Sequence, residues 1–531
     1  MWTKEDLKGI ERENHFKRDV KVYNDRPKNF VEAFRETVEA HPSREALVMG
    51  SNRLTYQDMW SVTEHIAGNL YHKYQVRKGD RVALLVGNCI EFSLVFFACA
   101  KLGAILIPLN TRLAKAELSF MIKQSGASIV FTDDEFKANL DDELAIDYKF
   151  LIGDDDEAFL PYSELVEDRN SYPEVDIDED DPLYVMFTSG TTGMPKGAVG
   201  THIGVLHSVI SYQRIFQTDE NDRSLDAVPL FHVTGLVGQL LHFVYIGGTN
   251  VLMRRYKGEE FNRLLSEEKI TFTFNVPTIY VLMMEHPSFK NYSYESLRTI
   301  AYGGAPMSPQ TIYQLKEAFP QVELHNAYGA TETSSPTTVM PKGYQEKKPS
   351  SVGLPIPVIE VKVVGADGPC QPNEVGELWV KGPNVVPSYW GNEAETKKSF
   401  VDGYWCSGDM AMIDEDGFVY IMDRMKDMIN RGGEKIFSVE VENTLYNHPD
   451  ILEAAVVGEP DAVFGERVKA VIVPKENAIL TEEDVKVFVR NQLADYKTPE
   501  IVEFREQLPR NPGGKIIKTE LKQTAAKEKK G

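Results

Sequence analysis

Residues 184–197 read YVMFTSGTTGMPKG: an apolar run of Tyr184, Val185, Met186 and Phe187, with the pattern of a buried strand, breaks into a loop rich in glycine and hydroxyl groups. Gly190, Gly193 and Gly197 let successive backbone N–H groups converge on one point. Thr188, Ser189, Thr191, Thr192 and the ammonium of Lys196 add donors where phosphate oxygens would sit. Segments of this composition are more often solvated turns, yet a loop without function has no physical need for clustered glycines after a strand and a lysine fixed behind Pro195. The loop is predicted to bind phosphate. Its order differs from the P-loop of kinases and ATPases, which requires Lys-Ser/Thr directly after the second glycine; here Lys196 lies three residues beyond Gly193. A nucleotide held by another design is the expectation.

Working outward, 531 residues exceed what one hydrophobic core usually supports, so two or more domains are predicted. A composition of 42% hydrophobic and 26% charged residues is that of a soluble globular protein, and a net charge of −22 argues against nucleic acid and anionic lipid as partners. Cys89, Cys99, Cys370 and Cys406 show no metal-ligand spacing and read as core fillers in a reducing, cytoplasmic setting. Residues 1–26 lack the apolar core of a signal peptide, and no run approaches the roughly 20 residues of a membrane span. The apolar stretch 92–100, flanked by Glu91 and Lys101, reads as a buried helix, and the final AAKEKKG as a frayed tail.

From Phe30 onward, helix-period and strand-like segments alternate, which is α/β grammar. Strands are predicted at 81–86, 105–108 and 128–132, and a helix at 89–103. The acidic stretch 133–182 reads as an exposed connection. A second α/β block spans 200–335, and 352–420 reads as short antiparallel strands punctuated by Pro and Gly. A small final domain begins near Arg424, with strands at 454–457 and 469–474 and a helix capped by Thr481. The predicted architecture is α/β: a large N-terminal domain, 1–423, of α/β subdomains plus a β-rich subdomain, and a small mobile α+β domain, 424–531.

Further segments pair unusual residues with sharp turns: VPLFHVTGL with His232, AYGGAPMS with Gly303, Gly304 and Ala305, NAYGATET with Asn326, Ala327, Tyr328, Thr331 and Glu332, YWCSGDM with Asp409, DRMKDMINRGGEKI with Arg424, Lys426, Gly432 and Gly433, and LPRNPGGKIIK with Lys515. Together with the opening loop, and in this order, they resemble the adenylate-forming superfamily of acyl- and aryl-CoA synthetases, peptide-synthetase adenylation domains and firefly-type luciferase. The resemblance covers nearly the whole chain.

It implies a specific division of labour. Adenylation brings a carboxylate anion against the α-phosphate of a polyanion, so positioning and charge neutralisation must supply most of the acceleration. By resemblance Lys515 bridges carboxylate and α-phosphate, Thr331 contacts that phosphate, and Glu332 ligates Mg²⁺, a metal that favours carboxylate, phosphate and water oxygens. Thr188, Ser189, Gly190, Thr191, Thr192 and Lys196 cradle phosphates. Gly304, Ala305, Asn326, Ala327 and Tyr328 surround the adenine, and Asp409 with Arg424 holds the ribose. His232 stands at the mouth of the acyl pocket as a gate or orienting group, and Val233, Val276, Gly303 and Ala330 wall that pocket. Lys426 is the hinge, and Gly432 with Gly433 lines the approach of the thiol in a second pose of the small domain. Ser407 replaces the commoner threonine and Ser438 a frequent proline, neither bearing on catalysis.

The implied activity is an ATP- and Mg²⁺-dependent acyl-CoA synthetase whose substrates are a carboxylic acid, ATP and coenzyme A. Small residues near the pocket point to a medium- or long-chain fatty acid, with a benzoate- or cinnamate-type acid as the alternative. A stand-alone enzyme loading a carrier protein is the second reading, although no carrier domain follows Lys515. A luciferase-like oxygenase, a silent nucleotide sensor and a kinase rank lower. The sequence is compatible with a homodimer.

Overall fold

The computed structural model describes residues 1–167, 169–188, 195–461, 463–476, 478–510 and 516–522. Its first sheet has seven strands, in spatial order Lys196–Thr201, Pro182–Thr188, Ile105–Pro108, Arg81–Leu85, Ile129–Asp133, Tyr148–Ile152 and Leu160–Pro161. All neighbours are parallel except the first two, which run antiparallel with Thr188 opposite Lys196. The acidic stretch after 133 thus differs from the exposed connection expected. It contributes two strands to the sheet edge, because Phe150 and Leu151 supply buried apolar side chains between charged neighbours.

The second sheet has nine strands, ordered Leu354–Pro355, Thr338–Val339, Glu323–Tyr328, Thr299–Gly303, Phe272–Asn275, Arg223–Asp226, Thr249–Leu252, Glu45–Met49 and Asn52–Thr55. Its centre is parallel and covered on both faces, so nearly every side chain of these strands is buried, the polar Ser224, Asn250, Thr273 and Asn275 included. Helix Ile90–Lys101 is buried along its whole length, as its composition predicts, and helix His202–Phe216 is nearly so. Among the described residues no helix is long and apolar enough to cross a membrane.

A third, antiparallel sheet is built on Glu360–Gly365, Gly376–Lys381, Tyr404–Ile413 and Val419–Arg424, matching the β-rich reading of this region. The fourth pairs Ile451–Asp461 with Gly465–Pro474 and adds Ile501–Phe504, Ile429–Arg431 and Glu434–Ile436 around its own apolar core. Helix Glu482–Arg490 packs there, with Thr481 and Asp484 forming a reciprocal capping box. The chain is therefore a mixed α/β protein with a large N-terminal domain and a smaller C-terminal one. Cys89 and Cys99 are buried as expected. Cys370 and Cys406 are only partly buried, on the sparser third sheet, so they are not core fillers.

Candidate active site

The loop after the strand Pro182–Thr188 carries Ser189, Gly190, Thr191 and Thr192, which lie outside the described residues, as does Lys515. The described flanks converge on Glu332. This residue sits in the single turn Thr331–Thr333, anchored where its own carbonyl accepts from the Val386 N–H at 2.9 Å. One carboxylate oxygen accepts a hydrogen bond from Tyr389 Oη at 2.9 Å and stands 3.4 Å from Thr188 Oγ1. Burial pushes the Glu332 carboxyl above its ordinary range, while Tyr389, Arg424 and Lys196 pull the other way. The Lys196 ammonium, expected among phosphate donors, pairs with Glu395 and lies 5.5 Å from the Tyr389 ring centre.

A buried carboxylate disfavoured as a bare anion, beside the hydroxyls of Thr188 and Tyr389, has the donor chemistry Mg²⁺ accepts when phosphate and water complete its shell. By contrast, the cluster of Glu13, His15 and Glu179 is already filled. Arg26 donates to Glu13 at 2.6 Å and to Glu179 at 2.8 and 2.9 Å, supplying the cation itself.

A second group forms around Asp409. Antiparallel pairing sets Asp409 directly opposite Arg424. Arg424 Nε lies 3.1 Å from one Asp409 oxygen, and Tyr328 Oη donates to the other at 2.5 Å. Asp409 holds the Arg424 guanidinium above its usual range, and the guanidinium side chain remains 42% exposed toward solvent. Both Asp409 oxygens are thus engaged by the protein. A carboxylate offers about four lone-pair sites, so two remain for a pair of hydroxyls. Asn326, expected beside the adenine, is buried on the strand Glu323–Tyr328, and its amide nitrogen donates to the Ser351 carbonyl at 3.3 Å.

At the acyl side, strands Thr299–Gly303 and Glu323–Tyr328 lie side by side with Gly303 opposite Ala327. A Cβ on Gly303 would meet the Ala327 carbonyl oxygen at 2.2 Å, so only glycine fits. Gly304 is exposed, with Val276 Cγ1 3.6 Å from the place its Cβ would take; Ala305 and Ala330 are half-buried, and Val233 is buried. Ser334 and Ser335 follow with φ of 46° and 101°, left-handed values that cost a non-glycine residue about 1–3 kcal/mol.

His232 opens a short helical turn, its Nδ1 accepting from the Thr234 N–H at 3.3 Å. The loop before it is held by Asn88, which sequence reading missed. The Asn88 amide donates to the carbonyls of Asp226 at 3.3 Å and Val228 at 3.0 Å and accepts from Leu230 N–H at 2.8 Å. Asn88→Ala is expected to leave these buried backbone groups unpaired, at about 1–3 kcal/mol. Thermal unfolding should register that loss, together with a larger rise in KM for the acid than for ATP.

Lys426, the expected hinge, lies in an exposed turn, and Gly432 and Gly433 are exposed with φ of 62° and 97°. The connection between the third and fourth sheets has a clasp that Ser438 makes possible. Asp423 Oδ2 accepts from the Ser438 N–H at 2.5 Å and from its hydroxyl at 2.7 Å, while Lys518 binds Ser438 Oγ and, at 2.7 Å, Glu442. A proline here could not donate the N–H. Asp423→Ala should loosen the small domain, so limited proteolysis within 425–437 is expected to accelerate severalfold, with Ser438→Ala intermediate because its N–H survives.

A buried carboxylate beside Tyr389 and Thr188, and an Asp–Tyr–Arg group with lone pairs left for hydroxyls, give the described part of the site the donors and acceptors a nucleotide and its metal require. The chain belongs to the AMP-binding enzyme family, whose model matches residues 34–390, with the AMP-binding enzyme C-terminal domain at 440–515. It is 35% identical to a feruloyl-CoA synthase of Amycolatopsis sp over 487 residues, 91% of this chain and 96% of the relative. It is 33% identical to the long-chain-fatty-acid–CoA ligase FadD13 of Mycobacterium tuberculosis over 505 residues, 93% and 98% of the two chains. Among solved structures, o-succinylbenzoate CoA synthetase from Bacillus subtilis in complex with its acyl-adenylate intermediate superposes with a TM-score of 0.82 at 31% identity, covering 93% of this chain and 98% of that one. The protein is an AMP-forming acid–thiol ligase of the acyl- and aryl-CoA class.

Proposed function

We propose that the large domain, 1–423, binds ATP and a carboxylic acid, and that the small domain, 424–531, serves two chemical steps by turning about Lys426. In the first step a carboxylate oxygen attacks the α-phosphorus and pyrophosphate leaves. In the second the CoA thiol, its proton passing to solvent or base, attacks the acyl carbon and AMP departs with the acid's oxygen. The observation that carries this reading is the placement of Arg424, paired with Asp409 and within electrostatic reach of Glu332. One cation thereby serves both the ribose end and the phosphate end of a nucleotide.

Asp409 with Arg424 holds the ribose, Tyr328, hydrogen-bonded to Asp409, flanks the adenine, and the exposed backbone at Gly304 admits that base. Thr188, Thr331 and Lys196 border the phosphates, with Lys196 exchanging Glu395 for phosphate oxygen when ATP enters. Glu332 would hold Mg²⁺, which supplies charge neutralisation between the phosphates. His232 stands at the pocket mouth as a gate or orienting group for the acid, and Lys515 reaches the carboxylate and α-phosphate during the first step. Gly432 and Gly433, bare of side chains, suit the thiol's path in the second pose.

The fatty-acid expectation rested on the smallness of Gly303, Gly304, Ala305 and Ala330. Smallness sets width, not depth, and the residues behind that wall turn our reading to the aryl alternative. AMP and pyrophosphate measured with ATP, CoA and a panel of carboxylic acids test the function. CoA-dependent AMP release with one acid class is expected. Pyrophosphate without an acyl-CoA product would instead indicate a carrier-protein acceptor, and ADP as product would overturn the reading.

A further inference from the structure

Resting on the reading that Val233, Val276, Gly303 and Ala330 wall the acyl site, we propose that this site takes a compact planar acid, one aromatic ring with at most a two-carbon spacer, and that Phe274, backed by Tyr212 and Ser335, closes its far end.

The wall passes from open to closed within a single step of the chain. Gly304 is exposed, and Val276 and Ala330 are half-buried; Gly303, one residue back, and Phe274 on the adjacent strand are buried, Phe274 to 2%. A strand advances about 3.3 Å per residue, so the wall closes within one residue of its exposed edge. Phe274 is held there from two sides. Its ring lies 3.5 Å from where a Cβ on Gly303 would stand and 3.1 Å from the same point on Gly238, in the π-helical segment Leu236–Leu241.

Behind Phe274 the packing is aromatic and buried. Tyr212 meets it edge-on at 5.9 Å between centroids and stacks on Phe216 at 5.1 Å. The Tyr212 hydroxyl is hydrogen-bonded at 2.7 Å to Ser335 Oγ, which itself lies 3.5 Å from the Gly238 Cβ position. Tyr212, Phe216, His242 and Ser335 are all 5% exposed or less. A long acyl chain needs a channel; here it would have to displace close-packed rings and break a buried hydrogen bond, which interiors resist. The bare peptide edges of Gly303 and Gly304 leave a flat slot, and an aromatic floor favours ring contacts.

The test is kcat/KM for pyrophosphate release with benzoate, cinnamate, hexanoate and palmitate, in wild type and Phe274→Ala. We expect the better ring acid to exceed palmitate by at least about 100-fold, and Phe274→Ala to shrink that ratio at least about tenfold by admitting longer acids. Should that variant not fold, Gly238→Ala, whose methyl pushes Phe274 into the slot, is expected to penalise cinnamate more than benzoate. Palmitate used as well as the ring acids, hexanoate preferred to both, or ratios unmoved by folded variants would overturn the inference while leaving the ligase reading intact. Turnover of no acid would overturn both.

Discussion

Lys515→Ala is expected to lower acid-dependent pyrophosphate release by about 10²–10³-fold, the scale on which removing one preorganised donor to a developing charge acts. The first step joins two anions, and in the proposed complex the two described cations are taken up elsewhere on the nucleotide: Arg424 beside Asp409 and the ribose, and Lys196, once released from Glu395, at the phosphates. A further cation must arrive from elsewhere, and the small domain carries it at Lys515. The second step removes AMP from an acyl carbon and takes place in the other pose, so it should not need this lysine. Preformed acyl-adenylate plus CoA should therefore give thioester at a rate within about threefold of wild type. An equal fall in both half-reactions would assign Lys515 a structural role instead.

Glu332→Gln is expected to dissociate activity from stability. The glutamine keeps an acceptor for Tyr389 Oη, now at 2.9 Å from the carboxylate, but removes the charge. Because burial holds the Glu332 carboxyl above its ordinary range, the anion costs folding free energy at neutral pH. A carboxyl raised in this way loses stability as pH climbs from its unfolded value through its folded one. The glutamine variant should thus melt no lower than wild type at pH 7, and its stability should fall less between acid and neutral pH. Activity should drop at least about 100-fold, with the Mg²⁺ concentration for half-maximal rate rising about 10–100-fold. A variant that is both inactive and markedly unstable would mean that Glu332 acts as packing for Tyr389 rather than as a metal ligand.

Short-range pattern made much of this protein readable. The run 184–187 lies on the strand Pro182–Thr188, buried at Tyr184, Val185 and Met186, the helix beginning after Cys89 is buried, and Thr481 caps its helix. Asp409 and Arg424 were each legible as motif residues, and antiparallel register places them face to face. What escaped depends on distance along the chain. Tyr389 reaches Glu332 across 57 positions and Asn88 reaches Leu230 across 142; neither side chain stands in a segment whose local composition marks it. The two edge strands after 133 were hidden by the acidic residues around Phe150 and Leu151. The floor proposed for the acyl site was hidden for a related reason: Phe274, Tyr212 and Ser335 come from a strand, a helix and a strained turn, and only packing brings them together.

The adenylate intermediate itself is most directly tested by isotope. Cinnamate carrying ¹⁸O at both carboxylate positions should, with ATP, Mg²⁺ and CoA, transfer one ¹⁸O to the phosphate of AMP and leave the other in the thioester carbonyl. Label in inorganic phosphate beside ADP, or AMP formed without label, would contradict the account.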